Sequence, residues 1–322
     1  MAIIASHSTA RALHRSPRRP RAMESVPPRR TPFRAGTVEG VEAMDLKVKL
    51  SALGVPDAEL ESIHVLTSSS KSRRSSSGLC CHVHEGEMPA GALSKIGGGL
   101  YVAGICLCAL QAAAEMDFVE LVEYYYEICG AYALPFDDGP YHEREPLTSV
   151  RKLEEFFAKM PGHRGIARAR RALRYVRDGS RSPMETALIM MLILPRKDGG
   201  LGLRTTEMDY RIDVQQRFRD MTSRRFFIAD VYIVSARLDI EYHGFHHDNE
   251  GRDVSDAERE NTLRAMGHHV IVVRKGSFFE RRAFCRVMEA IRMRAGVRPA
   301  KLPADFAERQ ERLRQFVLRR ML

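Results

Sequence analysis

Between Phe226 and His243 the chain reads Phe-Phe-Ile-Ala-Asp-Val-Tyr-Ile-Val-Ser-Ala-Arg-Leu-Asp-Ile-Glu-Tyr-His, and no other stretch constrains the fold as tightly. Two apolar runs of strand length flank Ser235-Ala236, so a β-hairpin with that pair as a two-residue turn is the simplest reading. The turn sets the register. Ala229 then faces Tyr242, Val231 faces Ile240 and Ile233 faces Leu238, which makes one side uniformly apolar. The other side opposes Asp230 to Glu241, with Asp239 and His243 beside Glu241. Directly opposed carboxylates lie roughly 5 Å apart at Cβ and repel each other. Either the hairpin is exposed and water screens the acids, or a divalent cation compensates them. Mg²⁺ or Mn²⁺ suits such a pair, because a hard ion takes one or two carboxylates and completes its shell with water and phosphate oxygens.

Around the hairpin the patterns predict a helix over 183–194 with Pro183 in its first turn, strands near 207–217, 225–234 and 237–243, a helix over 255–266, a strand His269–Arg274 and a helix Ser277–Arg294. The order is α-β-β-β-α-β, in an α/β (α+β) chain. Upstream, Leu60–Thr67 and Leu79–His84 read as strands. Tyr101–Ala114, Phe118–Cys129, Ser149–Lys159 and Arg164–Arg177 read as helices. Four regions follow: a disordered basic tail over 1–44, a smaller mixed or mainly helical domain over 45–181, the hairpin-bearing domain over 182–296 and a basic helix over 297–322.

Charge divides the chain in the same way. The formal net charge is +10, yet residues 1–34 hold eight Arg against one acid, and residues 151–181 hold ten basic residues against three acids. The first stretch is rich in Arg, Pro and Ser, as a disordered tail is; an organelle transit peptide remains open. In the second, Arg168, Arg171, Arg174 and Arg177 recur at helical spacing. They form either a solvated face or a ridge that contacts phosphates. No apolar run is long enough to predict a membrane helix. Six Cys without a Cys-x-x-Cys pair read as free thiols in a reducing compartment, which places the chain in the cytoplasm.

Smaller constellations remain. Ser182-Pro-Met-Glu185 is a capping box, so Glu185 has a structural role available besides any chemical one. Cys80, His82 and His84 share one face of a strand, read as a half-buried strand rather than a zinc site. His243, His246, His247, Asp248, His268 and His269 are dense, but adjacent histidines on a strand point to opposite faces.

The α-β-β-β-α-β order, with Asp230 on the second strand and Glu241 on the third, resembles the PD-(D/E)XK nuclease superfamily. Glu241-Tyr-His-Gly-Phe-His-His247, followed by Asp256-x-x-Arg259, Leu263, Gly267 and Val270, is similar to the branch of proteins related to the very-short-patch-repair endonuclease. The resemblance covers residues 183–275. It implies a restriction-endonuclease-like core in which Asp230 and Glu241 bind Mg²⁺ (or Mn²⁺), Glu185 is an accessory acid, and the metal activates water against a DNA phosphodiester. His243 stands where the superfamily usually has Lys, and a neutral imidazole supplies no fixed positive charge. His247 then orients the water, or the site is inactive. Arg259, with the basic ridge, would contact nucleic acid. The N-terminal half resembles the N-terminal portion of type IV toxin–antitoxin antitoxin-like proteins. The expected function is a metal-dependent endodeoxyribonuclease in phage defence or DNA repair. The alternative is an inactive nuclease fold that binds nucleic acid or acts as an antitoxin-like regulator. DNA, a second copy of the chain and a cognate partner protein are the expected partners.

Overall fold

The computed structural model describes residues 3–20, 23–26, 38, 40–72, 76–84, 87–97, 99–137, 139–243 and 250–321, with residues 24, 72, 243, 250–255 and 275 placed by backbone alone. The protein is mixed α/β and divides into two compact units, Met1–Val176 and Arg177–Leu322.

The N-terminal unit begins with strand β1 (Ile3–Ala5) and helix α1 (His7–Arg15), then β2 (Glu24–Ser25), α2 (Gly40–Ala52), β3 (Ile63–Thr67), β4 (Leu79–Val83), β5 (Leu93–Gly97) and β6 (Leu100–Ala103). Helices α3 (Ile105–Glu115) and α4 (Phe118–Cys129), the short strands β7 (Tyr132–Ala133) and β8 (His142–Glu143), and helices α5 (Val150–Ala158) and α6 (Ile166–Leu173) complete it. Six strands form one sheet in the order β2-β5-β6-β1-β3-β4. β1 is parallel to β6 and antiparallel to β3, and β3 is parallel to β4.

The expected basic tail is therefore wrong for the residues described at its start. Ile4 and Ala5 are buried in an interior strand, and Ala10, Ala12 and Leu13 of α1 are buried too. Arg15 does not repel its way into solvent, because its guanidinium meets Glu127 of α4 in a two-pronged pair, Nε to Oε1 at 2.7 Å and an NH2 to Oε2 at 2.6 Å. Burial alone would raise the pKa of Glu127. Arg15 overrides it, helped by Arg144 and the Leu134 amide, and holds the carboxyl below its ordinary range. A second correction concerns Tyr101–Ala103, expected as helix. They lie in β6, and α3 starts only after Gly104, where a Cβ would collide with the Gly91 carbonyl oxygen. α3, rich in Ala, is the hub on which α1, α4, α5 and α6 pack.

The C-terminal unit runs α7 (Pro183–Ile193), β9 (Thr206–Asp213), β10 (Phe226–Ile233), β11 (Leu238–His243), α8 (Glu250–Ala265), β12 (His269–Arg274), α9 (Lys275–Phe279), α10 (Arg281–Arg294) and α11 (Phe306–Leu318). Its sheet has the order β12-β11-β10-β9, antiparallel except for the β11–β12 pair, whose parallel crossover is α8. Next to the turn the hairpin register is the expected one, with Val231 opposite Ile240 and Ile233 opposite Leu238, but Ala229, expected opposite Tyr242 on that same side, packs with Tyr232, Leu263 and Met266. The connection spans Val234–Arg237, longer than the two residues expected. Arg237 closes it in the left-handed region at φ 47°. The expected helix Ser277–Arg294 breaks at Glu280, whose carboxylate accepts from the amides of Arg282 and Ala283 and starts α10 afresh. α11 packs on α7 through a buried side that includes Leu313, Val317 and Leu318. It belongs to this unit, whereas a separate basic helix was expected.

Candidate functional site

The acids converge where the central sheet of the C-terminal unit is least regular. Pairing between β9 and β10 skips Asp209 and Asp230. Asp209 sits at φ 48°, a left-handed conformation that Asp tolerates better than most residues. The β10–β11 ladder runs from Val231 opposite Ile240 to Ile233 opposite Leu238. Beyond it the Asp230 side chain bridges the strands, its Oδ2 accepting from the Tyr242 amide at 3.2 Å.

The side that carries Asp239 and Glu241 is not a solvated hairpin face. α8 covers it: Leu263 and Met266 pack with Phe227, Ala229 and Tyr232, and Asp239 is 0% exposed. Arg259 reaches down from the same helix. Its guanidinium donates to Asp239 Oδ2 at 3.0 Å, to the Ile228 carbonyl at 2.8 Å and to Glu241 Oε1. The cation does not offset all the negative charge. Burial first, then Asp239 and Asp230, push the Glu241 carboxyl up to about 9, against the pull of Arg259. Burial also raises Asp239, again against Arg259. A proton held between Asp239 and Glu241 thus joins Arg259 in neutralising the cluster. Two buried polar atoms here, Asp239 Oδ1 and Arg259 Nε, have no hydrogen-bond partner.

Glu185 approaches this cluster but is engaged elsewhere. It accepts from Ser182 Oγ at 3.1 Å and from the Arg181 amide at 2.8 Å, while its own amide donates back to Ser182 Oγ. Ser182 thus caps the helix as the sequence predicts, while the Glu185 carboxylate reaches the Arg181 amide, one residue before the expected N-cap amide. Burial, with Asp230 adding to it, raises the Glu185 carboxyl. Arg181 pairs with Asp209 at 2.8 Å. Neither Arg181 nor Asp209 was singled out by sequence, because the left-handed kink that turns Asp209 toward Arg181 has no marker in Thr-Glu-Met-Asp-Tyr. The side chain of His243 and all of His247 lie outside the described residues, as do His246 and Asp248.

For a hard divalent ion the donor chemistry is suitable: carboxylate oxygens, one of them orphaned. The arrangement is less so. Among the described residues, no three of these acids bring ligand atoms within 4.8 Å of one another, and Arg259 already holds the compensating position.

Of the expected basic ridge, Arg168, Arg171 and Arg174 lie on α6 or at its end, and Arg177 does not. α6 ends at Leu173. Arg168 donates to the Met116 carbonyl at the end of α3, and Arg171 stacks its guanidinium 4.6 Å from the Phe118 ring. Arg177 falls in the other unit, bonded to the carbonyls of Arg204 and Thr206 and paired with Glu207. Unfilled helix-end carbonyls are strong acceptors, and the one at Met116 holds Arg168. Arg168, Arg171 and Arg174 nevertheless all remain exposed. Exposed arginines also gather on the β9–β10 connection, at Arg217, Arg219, Arg224 and Arg225, at the end of the sheet away from the β10–β11 turn.

The N-terminal unit holds a second cluster. His64 Nδ1 lies 2.8 Å from His82 Nε2, and the His7 ring stacks on His82 with centroids 3.4 Å apart. Cys80 shares the sheet face of His64 and His82, whereas His84 stacks on His163. No helix among the described residues is long and apolar enough to cross a membrane. No family model matches this chain, and neither the curated proteins nor the solved structures include one significantly similar to it.

Proposed function

We propose that the C-terminal unit is a nucleic-acid-binding domain of PD-(D/E)XK type whose acidic centre is held closed by Arg259. One observation carries this reading: a guanidinium from the crossover helix bridges Asp239 and Glu241, so the charge that invites a metal ion is largely met by the protein itself. The α-β-β-β-α-β order and the Asp230–Glu241 placement support kinship with nucleases. The inward Arg259 and the capping engagement of Glu185 argue against a standing three-carboxylate metal shell. The exposed arginines of the β9–β10 connection suit a phosphate backbone, which is bound by charge without sequence readout.

The orphaned Asp239 Oδ1 and Arg259 Nε favour a second reading, in which the site is a latent Mg²⁺- or Mn²⁺-dependent phosphodiesterase. Asp230 and Glu241 would then hold the ion, which polarises the scissile phosphate and lowers the pKa of a bound water. The protein's own part is to keep Asp230 fixed across the strands; the proton of Glu241 would leave to solvent as the ion binds.

Plasmid DNA incubated with Mg²⁺ or Mn²⁺ and either wild-type protein or Arg259→Gln separates the two. The proposal expects salt-sensitive binding by both proteins and cleavage by neither. Cleavage that appears in Arg259→Gln and disappears on adding Asp230→Ala establishes the latent enzyme instead. Absence of binding at low salt removes both.

A further inference from the structure

The histidine cluster of the N-terminal unit lies far in sequence from the acidic centre and has no part in that reading. Its three imidazoles come from three elements: His7 from the start of α1, His64 from β3 and His82 from β4. Parallel pairing sets His64 opposite Cys80 and Leu66 opposite His82, so His64, Cys80 and His82 lie on one face of the β3–β4 pair. One ligand atom from each of these three falls within 4.8 Å of the others, and His7, His82 and Glu115 form a second such group that shares His82.

The scaffold holds these rings in place. The Ser6 amide donates to the His64 carbonyl at 2.9 Å, and the His64 amide donates to Thr9 Oγ1 at 2.8 Å. His7 sits at φ 49°, a conformation that strains a non-glycine residue and persists only where its surroundings impose it. Its amide donates to Gln111 Oε1 at 3.0 Å, and its Nδ1 meets Ser6 Oγ at 2.9 Å. Glu115 is in turn held by Arg11 at 2.9 Å.

We infer that His64, Cys80 and His82 form a site for a transition-metal ion of the Zn²⁺ class, with His7 and Glu115 flanking His82 as the next donors. A nitrogen–nitrogen–sulfur set suits Zn²⁺ and not Mg²⁺. In a tetrahedral shell the ligand atoms stand roughly 3.4–3.6 Å apart, so the three donors need only small side-chain rotations. The balance of protons is explicit. The imidazole that donates in the His64–His82 hydrogen bond moves its proton to its other ring nitrogen. Cys80 loses its thiol proton to solvent, so one proton is released per ion bound.

The test uses the full chain, freed of metal by chelation and titrated with Co²⁺ and then Zn²⁺. One equivalent of Co²⁺ should give a thiolate-to-cobalt charge-transfer band that Zn²⁺ abolishes. The band should be missing in Cys80→Ser, and His64→Gln or His82→Gln should weaken affinity by about a hundredfold or more. A measurement on the wild type alone guards against variants that fail to fold. Zn²⁺ should protect Cys80 from alkylation while the exposed Cys285 reacts at an unchanged rate. Unprotected Cys80, a band that survives Cys80→Ser, or Co²⁺ binding with no charge-transfer band would each overturn the site. Asp230→Ala should leave all these readouts unchanged, which keeps this inference separate from the acidic centre.

Discussion

Glu241 shows how much the surroundings of one residue can change its chemistry. The closeness of Asp230 and Glu241 was legible from the alternation around them. What compensates them was not, because Arg259 lies 18 residues further along and reaches the acids only when α8 folds back over the sheet. The altered ionisation has a measurable consequence. The folded chain keeps a proton that the unfolded chain sheds near pH 4.5, so stability is fullest below that pH and is lost as pH rises toward about 9. The slope reaches at most about 1.4 kcal/mol per pH unit, and the Asp239–Glu241 pair contributes it once rather than twice. Glu241→Gln, a neutral isostere, is expected to flatten this slope and to be more stable than wild type at pH 8–9 in urea titrations. An unchanged slope would mean that the shared proton is absent.

At the scale of elements, a capped helix start such as that of α7 was well marked and roles were not. Ser182-Pro183-Met-Glu185 gave the start of α7 with its cap, and Asp117 and Gly130 bracket α4 as local rules require. β1 and α1 were missed for a physical reason: their apolar content is short, Ile3 to Leu13, and arginines dilute it. The partner that makes Arg15 tolerable indoors, Glu127, is 112 residues away. A charge run marks a solvated tail only when nothing folds back to pair with it. Deletion of residues 1–16 removes an interior strand from between β6 and β3, and also removes half of the buried Arg15–Glu127 pair. Leaving a buried carboxylate unpaired costs about 3–5 kcal/mol by itself. The truncated chain is therefore expected to lose the cooperative unfolding of its N-terminal unit by circular dichroism. A disordered tail in that place would leave the transition unmoved.

Across the whole molecule, each of the two units has its own sheet and its own buried residues. The sequence placed a boundary at Gly179-Ser-Arg-Ser-Pro183, and the compact division falls a few residues earlier, because Arg177 is tied to the carbonyls of Arg204 and Thr206. Residues 177–322 expressed alone are expected to unfold in one cooperative step and to retain the pH slope that Glu241 imposes. A fragment without a cooperative transition would show that this unit does not carry its own stability.

By itself the sequence determined what local rules control: the hairpin register beside its turn, the α-β-β-β-α-β order and the capped start of α7. Side-chain period and caps act over a few residues and need no knowledge of the rest of the chain. Only the tertiary structure decided which charges meet. Arg259 closes on Asp239 and Glu241, Arg15 on Glu127, and His7 and His64 on His82, across separations from 18 to 112 residues. Such pairings follow from how helices fold back onto sheets, and burial then sets their ionisation by excluding the water that would otherwise screen them.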